Sequence, residues 1–191
     1  MSKKRLFIAI NLPDEVKRKL VEWRGKWDFD KRYINWVIKK NIHITLIFIG
    51  YVDNDETYRI AKIIGEVAKK HQPFYINLEK IIAGPPNATP RMFWVEGEKS
   101  QELANLQMDL ENALSFGGNY KKEARAFRPH ITLARFKYEV TKKIREMGSV
   151  EEKINYQIPV DSIELMQSDL RRTGPIYTNL ESAELGEHEE S

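Results

Sequence analysis

The sequence predicts an α+β fold of two similar lobes, each a small sheet covered on one face by helices, with the sheets related by a pseudo-twofold axis. Three observations lead there. The tetrapeptide His-Ile-Thr-Leu occurs twice, at His43–Leu46 and His130–Leu133. The order strand, helix, strand also occurs twice, and a second landmark recurs with it: Arg5 to Arg91 spans 86 residues where His43 to His130 spans 87. An internal duplication accounts for both. Finally, no glycine-rich phosphate loop follows any strand, and "GPPNATP" at 84–90 fits neither a Walker nor a dinucleotide pattern. That argues against the parallel doubly wound sheet which alternating strands and helices would otherwise suggest.

Each element has a local reason. "RLFIAI" at 5–10 reads as a buried strand, and 12–27 as a helix with Pro13 in its first turn and Val16, Leu20, Trp23 and Trp27 on one stripe. A strand runs from His43 to Ile49 and is closed by Gly50. Residues 55–70 read as a helix with Ile60, Ile63, Ile64, Val67 and Ala68 inward, and 74–84 as a strand. "PPNATP" at 85–90 is the clearest linker, being dense in residues that break regular structure. Beyond it come a strand at 91–97, a helix at 100–114 with Leu103, Leu106, Leu110 and Leu114 inward, and a strand at 130–136. A short helix near 142–147 and strands near 160–167 and 176–185 complete the reading. The expectation is one bilobal domain over 1–185, with lobes near 1–84 and 91–185 that are free to exchange strands, followed by an acidic tail at 186–191.

With 191 residues the chain has length for one sizeable core. No apolar run reaches the roughly 18 to 20 residues of a membrane span, and the start turns polar too early for a signal peptide, so a soluble cytoplasmic protein is expected. Cysteine is absent, which removes disulfides, thiolate metal sites and a cysteine nucleophile. Lys and Arg number 31 against 28 Asp and Glu, and the last eleven residues hold five glutamates and no Lys or Arg. A basic body suits an anionic partner such as RNA, although charge alone also describes a solvated surface.

On a strand, alternate side chains face opposite sides, so His43 and Thr45 share one face, about 7 Å apart, and Ile44 and Leu46 the other. The same holds for His130 and Thr132 against Ile131 and Leu133. A lone histidine in an apolar strand is ordinarily a packed residue. Two His-x-Thr units in matched halves reverse that reading, because burying four polar groups without partners costs several kcal/mol. Facing each other, two imidazoles with pKa values near neutrality can take and give a proton, while the hydroxyls donate to a phosphoryl group. A zinc site on the two histidines lacks a third ligand beside either motif. His71 at a helix end and His188 in the tail have ordinary structural readings.

These motifs, with "RLFIAINLP", "WVIKKNIHITLIFIG", "TPRMFWV", "FRPHITLARF" and "SDLRRTGPIYTNL", resemble the 2H phosphoesterase superfamily, and within it the bacterial and archaeal RNA 2′,3′-cyclic phosphodiesterases, also called 2′-5′ RNA ligases. The resemblance extends over nearly the whole chain. It implies two antiparallel-type sheets flanking a central cleft, with helices outside. It also implies metal-free, cofactor-free hydrolysis of 2′,3′-cyclic phosphate ends to 2′-phosphates, and reversible 2′-5′ ligation. The implied roles are His43 as proton donor, His130 as proton acceptor, and Thr45 and Thr132 as phosphate contacts; from the residues alone the pseudo-symmetry leaves donor and acceptor unassigned. The implied partner is RNA with 2′,3′-cyclic ends, with tRNA fragments as one expected source, and the chain is expected to be a monomer. Many members carry Arg before the tryptophan of the first lobe, where this chain has Asn35.

Five further residues are candidate substrate contacts. Arg135 lies three past Thr132, so ideal alternation points it away from the cleft unless a bulge or strand end redirects it. Phe127 and Arg128 precede the second motif, where an aromatic either stacks a nucleobase or joins the core. Arg91 either rims the cleft or ends a strand, and Tyr177 either packs or contacts sugar. Two rival functions fit the same residues: a non-catalytic RNA-binding module, and a phosphodiesterase for another cyclic or 2′-5′-linked nucleotide.

Overall fold

The structure, a computed structural model, describes residues 3–26, 32–85, 89–117, 120, 122, 127–137, 144, 150–172 and 174–186. Within these the chain forms β1 (Lys4–Asn11), α1 (Asp14–Trp23), β2 (Ile34–Trp36), β3 (His43–Val52), α2 (Asn54–Ala68), β4 (Phe74–Gly84), β5 (Met92–Gly97), α3 (Gln101–Gly117), β6 (Ile131–Phe136), β7 (Glu151–Val160), β8 (Ser162–Arg171) and β9 (Gly174–Glu184). The fold is α+β, with two antiparallel sheets in the orders β3-β1-β8-β9 and β2-β6-β5-β4-β7.

The helices form where the apolar stripes predict. In α1, Val16, Leu20 and Trp23 are buried, with Asp14 and Glu15 in the first turn, where the helix dipole favours negative charge. Asp53 caps α2 by accepting from the Glu56 N–H at 2.9 Å. Leu103, Leu106, Leu110 and Leu114 of α3 are all buried. One continuous apolar cluster joins residues of the three helices and both sheets. Among the described residues no helix is long and apolar enough to cross a membrane.

The pseudo-twofold relation is legible in the strand orders. Strands β3, β1, β8 and β9 of one sheet correspond to β6, β5, β4 and β7 of the other, with β2 added at an edge. Neither sheet is made from 1–84 or from 91–185 alone, because β4 lies beside β5 and β8 lies beside β1. The reason at β4 is proximity: "PPNATP" joins two neighbouring strands, and Gly84 pairs directly with Met92. The strands on either side of that stretch are therefore antiparallel neighbours in one sheet.

Several element boundaries differ from expectation. The first helix ends at Trp23 and tightens into a 3₁₀ turn over Arg24–Lys26; Trp27 lies outside the described residues. Gly50 does not close β3 but sits inside it at φ +92, next to a ladder irregularity between Leu6 and Phe7. That left-handed backbone suits glycine, and pairing resumes to Val52. Strands β2 and β7 are additions to the predicted set. Of the short helix near 142–147 only Ile144 is described, and it is buried. The tail beyond Gly186, with His188, lies outside the described residues.

Candidate active site

Both His-Ile-Thr-Leu segments carry the same irregularity. In the β1–β3 ladder Ile8 pairs with Ile47 and Ala9 with Thr45, so Leu46 is stepped over. In the β5–β6 ladder Phe93 pairs with Ala134 and Trp94 with Thr132, so Leu133 is stepped over. Each is a bulge that sets two residues against one and reverses the alternation beyond it. Leu46 and Ile47 are therefore both buried, as are Leu133 and Ala134. The next residues, Phe48 and Arg135, turn to the face of the histidines and threonines. Arg135, which ideal alternation would send to the opposite face, is thus brought to the side of His130, where its charge acts on both His130 and Tyr177. Its first-sheet counterpart Phe48 is 58% exposed.

The imidazoles are held alike. His43 Nδ1 donates to the Asn41 carbonyl at 2.7 Å, and His130 Nδ1 donates to the Arg128 carbonyl at 2.9 Å. A carbonyl only accepts, so each neutral ring carries its proton on Nδ1 and leaves Nε2 as a lone-pair acceptor. His43 Nε2 accepts from the Thr45 hydroxyl at 2.9 Å. Asn41 is itself buried, its side-chain amide donating to the Pro175 carbonyl at 2.8 Å, which ties the segment before β3 to β9.

The surroundings differ. His43 lies against Phe7, ring centroids 5.0 Å apart, and meets the edge of Tyr177 at 5.3 Å. His130 lies on Trp94 at 4.5 Å, and the Arg128 guanidinium covers the same indole at 5.4 Å while pairing with Glu96. Phe127 packs against the apolar core. Arg91 is exposed, and its backbone joins three strands, its N–H donating to the Gly84 carbonyl and its carbonyl accepting from the Phe136 N–H. Asn35, at the position where the family often has arginine, pairs directly with Arg135 in the β2–β6 ladder.

A family model described as the 2′-5′ RNA ligase superfamily matches residues 12–172. The chain belongs to this superfamily. It is 32% identical over 176 residues to a Thermotoga maritima protein named RNA 2′,3′-cyclic phosphodiesterase, covering 91% of each chain. A protein of the same name from Aeropyrum pernix is 37% identical over 147 residues, 74% of this chain and 80% of that one. Among solved structures, TT0787 of Thermus thermophilus superposes with a TM-score of 0.83 at 29% identity, covering 96% of this chain and all of that one. Escherichia coli LigT complexed with 3′-AMP, 24% identical, shares the fold with a TM-score of 0.79 over 97% of this chain and all of that one.

Electrostatics of this superfamily member set the two rings apart. Burial drives the His43 pKa down to about 4, and the nearby charges of Lys17 and of a protonated His130 push it the same way against the Asn41 hydrogen bond. Burial also lowers the His130 pKa, helped by Arg135 and Arg128 and opposed by Glu96 and the Arg128 carbonyl. Arg135 acts on Tyr177 as well, whose phenol burial raises, so the field of one sheet reaches the other. Lys17 is a residue the sequence reading missed: it is 7% exposed, and its Nζ donates to Asn11 Oδ1. Its place beside Val16 in a predicted helix was the available signal. Among the described residues no group of three or more His, Asp or Glu is arranged to hold a metal ion.

Proposed function

We propose that this protein hydrolyses the 2′,3′-cyclic phosphate end of RNA to a 2′-phosphate, with His43 and His130 as the acid/base pair. The observation that carries the reading is the matched tautomer: two imidazoles, each anchored through Nδ1 to the carbonyl two residues before it, with a threonine two residues after it. The names of the relatives support the same substrate class.

In this mechanism His130 Nε2 takes a proton from water as the water oxygen attacks phosphorus. The bond from phosphorus to the ribose 3′ oxygen breaks, and His43 Nε2 delivers a proton to that oxygen. Thr45, Thr132 and Arg135 offer hydrogen bonds to the phosphoryl oxygens, which gain charge on the way to the transition state. The roles suit the settings. His43 is the more enclosed ring, so once the charge of a bound phosphate raises its pKa and it takes up a proton from solvent, it is a strong acid toward a leaving alkoxide. Replacing water by an RNA 5′-hydroxyl gives a 2′-5′ phosphodiester by the same steps.

The test is an RNA oligonucleotide with a 2′,3′-cyclic phosphate end, incubated with the purified protein in EDTA and followed by identification of the end. Conversion to a 2′-phosphate is expected. Salt-sensitive binding without conversion at any pH would instead make the protein an RNA-binding module.

A further inference from the structure

The duplication allows a residue-by-residue comparison of what lies beneath the two rings. Thr45 pairs with Ala9 and Thr132 with Trp94, so Ala9 and Trp94 occupy equivalent places on β1 and β5; the same register sets Arg5 against Pro90 and not, as the interval counted in the sequence suggests, against Arg91. One step along, Phe7 pairs with Met166 of β8, and its counterpart Met92 pairs with Gly84 of β4. Met166 and Gly84 are therefore equivalent too. The first sheet holds a small residue and a large one, and the second sheet exchanges them.

The exchange is sterically required. A Cβ added to Gly84 would stand 2.4 Å from Trp94 Cε2, 2.7 Å from Nε1 and 2.8 Å from Cδ2. Those atoms belong to a rigid ring that is only 6% exposed, and its buried Nε1 has no hydrogen-bond partner among the described residues. The indole thus lies flat on the bare Cα of Gly84, and its own position supports His130 at 4.5 Å. The second restraint on His130 also passes by this ring, because Arg128, whose carbonyl holds Nδ1, stacks its guanidinium on Trp94 at 5.4 Å.

The geometry points to Gly84 and Trp94 as a positioning pair for His130: the missing side chain at 84 lets the indole sit where it fixes the plane and reach of the imidazole. The pair touches no substrate, and its effect on turnover rests on the role of His130 proposed above. Gly84 has no left-handed backbone, unlike Gly50, so an alanine there meets the indole and not a forbidden φ.

The test compares Gly84→Ala, Trp94→Ala and their combination in the full chain. Gly84→Ala is expected to lower kcat on a nucleoside 2′,3′-cyclic phosphate on the order of 10- to 100-fold, as displacement of a reacting group by about 1 Å does, with KM little changed. In the Trp94→Ala background the added Gly84→Ala should cost nothing further, since no ring remains to be displaced. In parallel, the His130 Hε1 resonance should move in Gly84→Ala and in Trp94→Leu while that of His43 stays in place. Trp94→Leu keeps the question answerable if Gly84→Ala does not fold. Unmoved His130 resonances, or an equal loss from Gly84→Ala with and without the indole, would overturn the pair. A wild type that converts no cyclic phosphate would sink the proposed function instead, and the resonances would still decide the positioning claim.

Discussion

The two His-Ile-Thr-Leu segments share a bulge, an Nδ1 anchor and a face, yet their rings live in different surroundings. His43 is closed in by Phe7 and Tyr177 and feels the buried charge of Lys17. His130 rests on one indole, with the guanidinium groups of Arg128 and Arg135 close by. What duplication kept is the backbone that aims each imidazole. What diverged is the side-chain environment that sets when each ring holds a proton. Beyond the bulges the same split recurs, with Phe48 in one sheet where Arg135 stands in the other.

The sharpest way to break this comparison is to remove each ring in turn. His43→Ala and His130→Ala should each lower kcat by about 10²- to 10⁴-fold while the fold persists. The double variant should lose little beyond the worse single one, because the rings act as a unit. Steady-state kinetics with thermal melting as the folding control decides this; full activity in either single variant would leave one lobe without a catalytic role.

The next effect tests what the second bulge brings to the cleft. Arg135→Gln should cost about 10- to 100-fold in kcat/KM, the range of a lost hydrogen bond to a charged group. Unchanged kinetics would mean that Arg135 does not reach the phosphate. Its counterpart change, Phe48→Leu, removes no charge and should leave the salt dependence of kcat/KM as it is.

The remaining effects concern pH. Both pKa values are lowered from the ordinary histidine value, His43 to about 4, so kcat/KM should peak on the acid side of about pH 6.5. The same shift links to stability. A histidine whose folded pKa lies below its unfolded one favours folding fully above the unfolded value and loses that contribution as pH falls. For His43 the loss runs from about 6.5 toward about 4, and amounts to roughly 3 kcal/mol. Denaturant melts of wild type and His43→Asn across this window should show the wild type losing more.

Much of this was legible in the sequence. The repeated tetrapeptide located both catalytic candidates, and the apolar stripes located α1, α2 and α3. Strand β2 was invisible because three residues show no period, and β7 was overlooked although Ile154, Tyr156 and Ile158 alternate within a charged stretch. The reach of Arg135 depended on a bulge, which arises from pairing between distant strands and leaves no mark within "HITLAR". The exchange of β4 and β8 between sheets is likewise a property of partners rather than of either segment. The Nδ1 anchors come from backbone carbonyls, which no residue type announces.

The central claim is that two imidazoles direct water to a cyclic phosphate and release its 3′ oxygen. It is tested most directly by turnover of a nucleoside 2′,3′-cyclic phosphate in EDTA and ¹⁸O-labelled water. The account predicts the 2′-monophosphate with ¹⁸O on phosphorus, formed by wild type and suppressed in both His43→Ala and His130→Ala. A 3′-monophosphate product, or undiminished turnover in both variants, would contradict it.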